Sequence, residues 1–596
     1  MIFLKKEKIV FLNFFCVCLL FNSVSESASL AQTVRQISQP SIPMPQDIII
    51  PPTQLLPPTQ TPKQKPEPLP PPEQLLQPQL PTTPSPTPVP ESVPEKITVK
   101  RFEITGSTVF SQEQLDKLVA PYTNRVLSAT EIFQVSTAIT NLYVDRGYIT
   151  SGALIPPQTI KNGIVKIQIV EGSLEAINVT GTRRLNPDYI RSRLLKSKPL
   201  NQKSLLKALQ LLKLNPRIKK IQAELTAGSN LDTTVLNVRV QEAKTFSTQI
   251  SLDNGRSPSV GTFRRRIQLN EANLFGLGDE LSLAYSNTDG SNTINASYTI
   301  PFNSNNGTIS FDLGFSNNSV IEKPFNALDI IGNYRYYGLT LQQPVIETPN
   351  RELLLGLSAV RNESDIYSKV LKNLGYPLSL LSPGADDEGN TRLSTINFFQ
   401  QWTNRSVNEV FAARSQFNLG IGAFDATVND NAPDSRFFSW LGQVQWVRQI
   451  APDTLLLLRS NLQLADRTLV PQEQFGLGGI DSVRGYRQDV LLGDNGYFAS
   501  AEIRLPIYRD SGQNLLLQLT PFVDFGTTWN MGKRNFSDQN LSNSDTLASV
   551  GLGLRLQLSD RLTARFDWGI PLVDIDSRER TWQEKGLYFS INYNPF

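Results

Sequence analysis

The stretch GGIDSVRGYRQDV, residues 478–490, brings together three glycines, two arginines and an early aspartate. A guanidinium is a permanent cation whose planar fork binds a carboxylate through two parallel hydrogen bonds. A glycine beside it, Gly485, lets the backbone turn tightly. This chemistry positions an anionic group and makes or breaks no bond. The chain has no histidine, so His-based triads, proton shuttles and typical zinc sites are unavailable. No paired-carboxylate or nucleophile–base motif stands out, and no nucleotide motif of the Walker type. The expectation is a non-enzyme without cofactor or metal. The net charge of +3 is too small to point to nucleic acid.

The elements that must position this stretch depend on the compartment, and the N-terminus indicates it. Lys5, Lys6 and Lys8 precede an apolar run from Ile9 to Phe21 broken by Asn13, and Ser29 and Ala31 sit at the small-residue positions of a cleavage site. This pattern reads as a secretory signal peptide over residues 1–31. The run is shorter than the ~20 residues of a spanning helix. Both cysteines, Cys16 and Cys18, fall within it, so the mature chain would have neither disulfide nor thiol chemistry. The mean hydropathy of −0.22 is compatible with a membrane barrel, whose strands alternate apolar and polar residues.

Residues 32–95 read as a proline-rich linker, with 20 of the chain's 40 prolines between positions 40 and 94. Proline fixes φ and lacks the amide donor, so the segment is expected to be an extended, largely disordered spacer without helix or sheet. Two similar α+β units follow, over 96–172 and 173–242. In the first, Gly106 turns a strand into a helix. A second helix starts at the Ser128–Glu131 capping box, carries Ile132, Phe133, Val135, Ile139, Leu142 and Tyr143, and stops at Gly147. The second unit repeats the order with Gly181 and a leucine-striped helix ending before Pro216. The order β-α-α-β-β thus recurs at a spacing of roughly 75 residues. The second unit has 13 lysines and arginines against 5 acidic residues, a net of +8. That suits a solvated basic face, or contact with a polypeptide or anionic lipid heads.

From about residue 243 to 596 the pattern is short alternating runs. In VGLGLRLQL, Val550, Leu552, Leu554, Leu556 and Leu558 share one face. In RLTARFDWGI, Phe566, Trp568 and Ile570 oppose Arg565 and Asp567. About sixteen such segments, near 22 residues apiece with their loops, predict an antiparallel transmembrane β-barrel. The last strand places Leu587, Phe589, Ile591 and Tyr593 on one face, and Asn594-Pro595 puts Phe596 out of register.

The residues then carry a resemblance. Two β-α-α-β-β modules, a barrel of about sixteen strands, and Val483-Arg484-Gly485-Tyr486 between strands eleven and twelve resemble the two-partner secretion transporters. These form the hemolysin secretion/activation family of the outer-membrane assembly superfamily. Phe522-Val523-Asp524-Phe525-Gly526 resembles the family's F-x-D-x-G strand motif. ALIPPQ (153–158), DNGRSPSVGTFR (253–264) and NLFGLGD (273–279) resemble the end of the first POTRA module and the start of the barrel. The resemblance implies that the loop folds back into the barrel and that Arg484 pairs with Asp524, in a wet lumen that lowers the desolvation cost. It implies a fold of two POTRA domains before the barrel, in the outer membrane with the modules in the periplasm. It implies export of a large secreted exoprotein bound by the POTRA domains, by a lipid-embedded monomer. The alternatives are a general barrel-insertion factor and, in a different class, a porin or solute receptor. An N-terminal plug helix, present in some members, would have at most two turns in TVRQISQPSIPMPQ.

Overall fold

The computed structural model describes residues 76–78, 96–195, 197–230, 232–531, 544–575 and 580–595. The signal peptide and the plug question lie outside the described residues. The first element is β1 (Leu76–Pro78), from the proline-rich segment. The first unit contains β2 (Ile97–Val99), β3 (Arg101–Thr105), α1 (Gln112–Val119), β4 (Arg125–Leu127), α2 (Ala129–Asp145), β5 (Gly152–Leu154) and β6 (Ile164–Val170). Its sheet runs β3-β6-β5, with β2 and β4 paired beside it. Both helices begin in capping boxes, at Ser111–Gln114 and Ser128–Glu131. α2 buries Ile132, Val135, Ile139 and Tyr143. Phe133, expected in the stripe, is 55% exposed, because it stands one position off the buried face.

The second unit runs β7 (Ser173–Thr180), α3 (Pro187–Leu194), α4 (Gln202–Leu214), β8 (Ile218–Ala227) and β9 (Thr233–Glu242). Its sheet order is β1-β8-β9-β7. The linker thus contributes a strand where neither helix nor sheet was expected. β1 pairs parallel with Ala223–Leu225 and buries Leu76 to 2% exposure. Three residues at a sheet edge escape the proline argument because the strand spans Leu76-Gln77 before reaching Pro78.

One turn device is common to both units. Gly106 and Gly181 have φ of +91° and +86°, and an added Cβ would lie 2.4 Å from the Ile169 carbonyl oxygen and 2.2 Å from that of Val240. A glutamate from the end of the last strand caps each turn. Glu171 Oε1 accepts from Thr108 N (2.7 Å), Val109 N (3.1 Å) and the Tyr143 hydroxyl (2.8 Å). Glu242 Oε1 accepts from Arg183 N (2.7 Å) and Leu185 N (2.9 Å).

The basic character of the second unit has a specific use. Arg184, Arg193 and Arg217 reach into the turns at the near end of the barrel. Arg184 meets Glu271 Oε1 at 3.3 Å and Asn273 O at 3.1 Å, and Arg193, 6% exposed, donates to Asn306 Oδ1 at 2.8 Å. Arg217 lies 3.5 Å from Glu280. The turn NLFGLGD is the counter-surface. A Cβ on Gly276 would lie 2.5 Å from Arg184 O, and one on Gly278 would lie 2.3 Å from the Tyr189 ring. Asp279 holds the turn by accepting from the amides of Phe275 (3.1 Å) and Leu277 (3.3 Å). Neither a purely solvated face nor a lipid contact describes these three arginines.

Sixteen of the remaining strands close into an antiparallel barrel, from Phe246–Asp253 to Leu587–Tyr593. Strand lengths run from 7 to 18 residues. The alternation holds: Leu552, Leu554, Phe566, Trp568 and Ile570 point outward at 41–51% exposure, while Asp567 points inward at 0%. An outward face this apolar is a liability in water and a match for hydrocarbon. Because the first strand leaves the second unit, loops 254–263, 320–329 and 466–494 all lie at the far mouth.

Burial works against the charge of Glu171, but donors at Thr108, Tyr143 and Val109 outweigh it and hold its carboxyl below the ordinary range. A depressed folded value stabilises above the unfolded value near 4.5 and loses that stabilisation as pH falls through the folded one. Glu171→Gln is expected to weaken the first unit by about 1–3 kcal/mol at neutral pH. The deficit should shrink on acidification. Hydrogen exchange of the α2 and β6 amides in the full chain measures both effects.

Candidate functional site: the inward loop and its wall

The eleventh and twelfth barrel strands, Thr454–Ala465 and Asn495–Asp510, are joined by a long loop that folds into the lumen. Within it the short strands Phe475–Leu477 and Leu491–Gly493 pair to make a stem. At the tip, Gly478 and Gly479 take φ of +104° and +101°, and the Gly479 amide donates to the Val483 carbonyl at 3.2 Å. The Ser482 hydroxyl ties back to Gly478, accepting from its amide and donating to its carbonyl, both at 2.9 Å. The glycines of the stretch therefore build a hairpin tip compact enough to enter a barrel.

The sequence motif residues meet there. Arg484 donates through Nε to Asp524 Oδ2 (2.7 Å) and through Nη2 to Asp524 Oδ1 (2.9 Å), a bidentate pair. Its backbone amide adds a third bond to the same carboxylate at 3.2 Å. Both side chains are 0% exposed. Phe522, Asp524 and Gly526 are successive inward positions on the thirteenth strand, Leu515–Trp529. The Phe522 ring lies 3.3 Å from the guanidinium carbon, a cation–π contact under the plane of Arg484. Gly526 leaves the space that the loop fills, since an added Cβ would come within 2.8 Å of Leu477 and 3.1 Å of Val483. Val483 packs with Phe475, Leu477, Tyr486, Phe498 and Leu547.

Gly485 has φ +103° and presses on the wall. A Cβ there would lie 3.2 Å from Pro571 N, and one on Gly569 would lie 2.6 Å from Gly485 N. Its amide donates to the Tyr588 hydroxyl at 2.9 Å, and that hydroxyl donates to the Tyr486 carbonyl. The Tyr486 hydroxyl donates to Ala548 O at 2.8 Å and accepts from Val573 N at 3.1 Å.

Sequence reasoning missed part of the constellation. Arg484 Nη1 also donates to Glu502 Oε2 (2.8 Å) and lies 3.5 Å from Asp567. Ser500 donates to Asp524 at 2.6 Å. Arg504 binds Glu502 at 2.9 Å, and Arg565 binds Asp567. The expectation that a wet lumen lowers the cost of the pair is overturned, because Arg484 and Asp524 see no solvent. What offsets desolvation is the ring of charged and hydroxyl partners. Strand parity carried the missing signal: Asp567 was already on the polar face of its strand, and Glu502 alternates with Ser500 on the inner wall. Among the described residues, no group of three or more acidic, cysteine or histidine side chains could hold a metal ion.

A closed membrane barrel with a polar interior, a loop locked to its inner wall, and α+β modules docked at one mouth defines a class of outer-membrane transport protein. Residues 97–172 match the POTRA domain, ShlB-type, and residues 273–594 match the Omp85 superfamily domain. The chain belongs to the Omp85 superfamily. It is 26% identical over 462 residues to the heme/hemopexin transporter protein HuxB of Haemophilus influenzae, covering 74% of this chain and 78% of that one. It is 23% identical over 508 residues to the outer membrane transporter CdiB of Escherichia coli O6:K15:H31, covering 83% and 82%. The solved structure of CdiB from Escherichia coli superposes with a TM-score of 0.62 at 20% identity, over 87% of this chain and 93% of that one, and shares its fold.

Removing one partner of a buried, hydrogen-bonded ion pair costs about 3–5 kcal/mol. Arg484→Ala and Asp524→Asn are each expected to loosen the loop by that order while the barrel stays folded. Trypsin cleavage within 478–490 in detergent-solubilised protein, alongside heat-shifted mobility on gels, measures the two separately.

Proposed function

We propose that this protein is an outer-membrane translocase that exports one large secreted exoprotein from the periplasm to the cell surface. The observation that carries the reading is the lumen. A cavity of about 830 Å³ lies between the inward loop and the opposite wall. Its lining is mostly uncharged and polar, with Asn295, Asn397, Gln416, Gln443 and Ser358 among the contributors. Gln416 donates to Asn418 at 2.6 Å and Asn418 to Ser439 at 3.1 Å, a ladder that can exchange its partners with an extended backbone. Relatives with the same modules are named as transporters, which supports a transport role over a catalytic one.

The first unit is a POTRA domain, and the second unit serves as another. Delivery uses strand addition at a sheet edge, where main-chain hydrogen bonds give affinity with little sequence demand. The pairing of β1 with β8 supports this, since that edge already accepts an extended segment in parallel. In the first unit the corresponding edge is guarded. Ser136 of α2 donates to Ala153 O at 2.6 Å, and Thr140 accepts from Ala153 N at 3.0 Å. Helix hydroxyls thus occupy the outward main-chain groups of β5. In the main sheets of the two units, β3 and β7 are the edges opposite β5 and β1. Arg484 and Asp524 keep the loop at its station during export, with Val483, Gly485, Tyr486, Phe522 and Gly526 shaping the seat. The protein works as a monomer in the outer-membrane lipid.

Quantitative proteomics of a deletion strain tests the function. Loss of one or a few large proteins from the culture supernatant, restored by the wild-type gene and not by Arg484→Ala, is expected. A broad fall in many outer-membrane barrels would instead mark a general insertion factor, and unchanged secretion would contradict the reading.

A further inference from the structure

Five residues after Ser482, the loop carries a second arginine that the motif does not include. Arg487 forms a bidentate pair with Glu322 of loop 320–329, Nη1 to Oε1 at 2.9 Å and Nη2 to Oε2 at 3.0 Å. The same Nη1 lies 3.9 Å from Glu584 Oε1, near the start of the last strand. The side chains of Arg487, Glu322 and Glu584 are 16%, 9% and 2% exposed.

Neighbouring bonds converge on the same point. The Gln488 amide donates to Gln583 Oε1 at 2.9 Å, and Gln583 Nε2 donates to Arg256 O at 2.8 Å and to Asn254 O. Arg580 donates to Lys323 O at 3.1 Å. Segments 254–256, 320–323, 487–488 and 580–584 are thereby drawn together at the far mouth. They meet beside the seam where the first and last strands share four residue pairs. The other side of that mouth is covered differently. Gly384 of loop 369–389 packs there against Val470, 0% exposed, and against Pro433 of loop 422–436, and Leu378 and Leu381 of the first of these loops are buried. Apolar packing has no substitute partner in water. An ion pair does, because both charges rehydrate when the loops part.

We infer that Arg487 is a gating residue: a buried ionic clamp, separate from the Arg484 lock, that holds the seam side of the outer mouth closed until an extended chain passes. The inference rests on the transport reading for its purpose. Its geometry is independent of cargo, so its test is too. Removing Arg487 takes away a cation that lies against both carboxylates. Reversing its sign adds a third acid.

The test is ion conductance of the purified full-length protein in planar lipid bilayers, without cargo, on variants that keep the heat-shifted gel mobility of a folded barrel. Arg487→Ala is expected to raise mean conductance or open frequency several-fold, and Arg487→Glu to raise it further. The exchange Arg487→Glu with Glu322→Arg should bring conductance back toward wild type. Glu322→Gln, nearly isosteric, gives a second opening variant where a change at 487 impairs folding. Wild-type conductance in folded Arg487→Ala and Glu322→Gln proteins would overturn the inference, as would an exchange variant no more closed than Arg487→Glu alone. Loss of export with unchanged conductance would count against the gate and leave the export reading standing.

Discussion

A guanidinium taken wholly out of water has to find its solvation in the protein, and the architecture around Arg484 follows from that demand. Asp524 supplies the bidentate partner, Glu502 the third hydrogen bond, and Phe522 an aromatic face. The acids in turn need cations of their own, and Arg504 and Arg565 provide them. Such a network favours one geometry over others because each member is costly to orphan. It is a positioning device more than a source of net stability. A hairpin tip held this way can sit inside a barrel whose remaining interior stays polar and open.

The same economy of specific contacts appears at the opposite end. Three arginines and two glycines fit the second unit to the first turns of the barrel, so the module is seated by paired shapes and charges. The internal repeat explains how such a module is built cheaply. Each unit uses one glycine with positive φ and one glutamate cap to fix the same strand-to-helix turn. In the second unit that turn continues directly into Arg184, which links the repeat's local geometry to barrel docking. The proline-rich segment adds β1 to the same unit, so the linker is tied to the sheet that borders the barrel.

Much of this was legible in the amino-acid pattern. Period-two alternation gave the barrel, its strand number and its lipid-facing residues, because a one-residue slip would put Asp567 in hydrocarbon and Trp568 in the lumen. The Ser128–Glu131 capping box and the leucine spacing gave the second helix of each unit. Spacing along the chain could not reveal which inward residues face one another across the lumen. Glu502 and Asp567 meet Arg484, and Tyr588 meets Gly485, only after the barrel closes and the loop folds inward, at sequence separations of 18 to 103 residues. The three-residue strand in the linker was hidden for a related reason. Its stability comes from a partner strand more than a hundred residues away, and local propensity argued against it. Arg184, Arg193 and Arg217 were visible as charge, but their use depends on a surface that a local reading does not contain.

The central claim is that the inward position of the loop depends on the coupling of Arg484 with Asp524. A double-mutant cycle measures it most directly, with Arg484→Ala, Asp524→Ala and the pair compared by the protease sensitivity of residues 478–490 in the intact membrane-embedded protein. The account predicts that the double variant is released no more than the worse single variant, because the second removal takes away a partner already orphaned. Additive release in the double variant, or a loop that stays protected in both single variants, would contradict it.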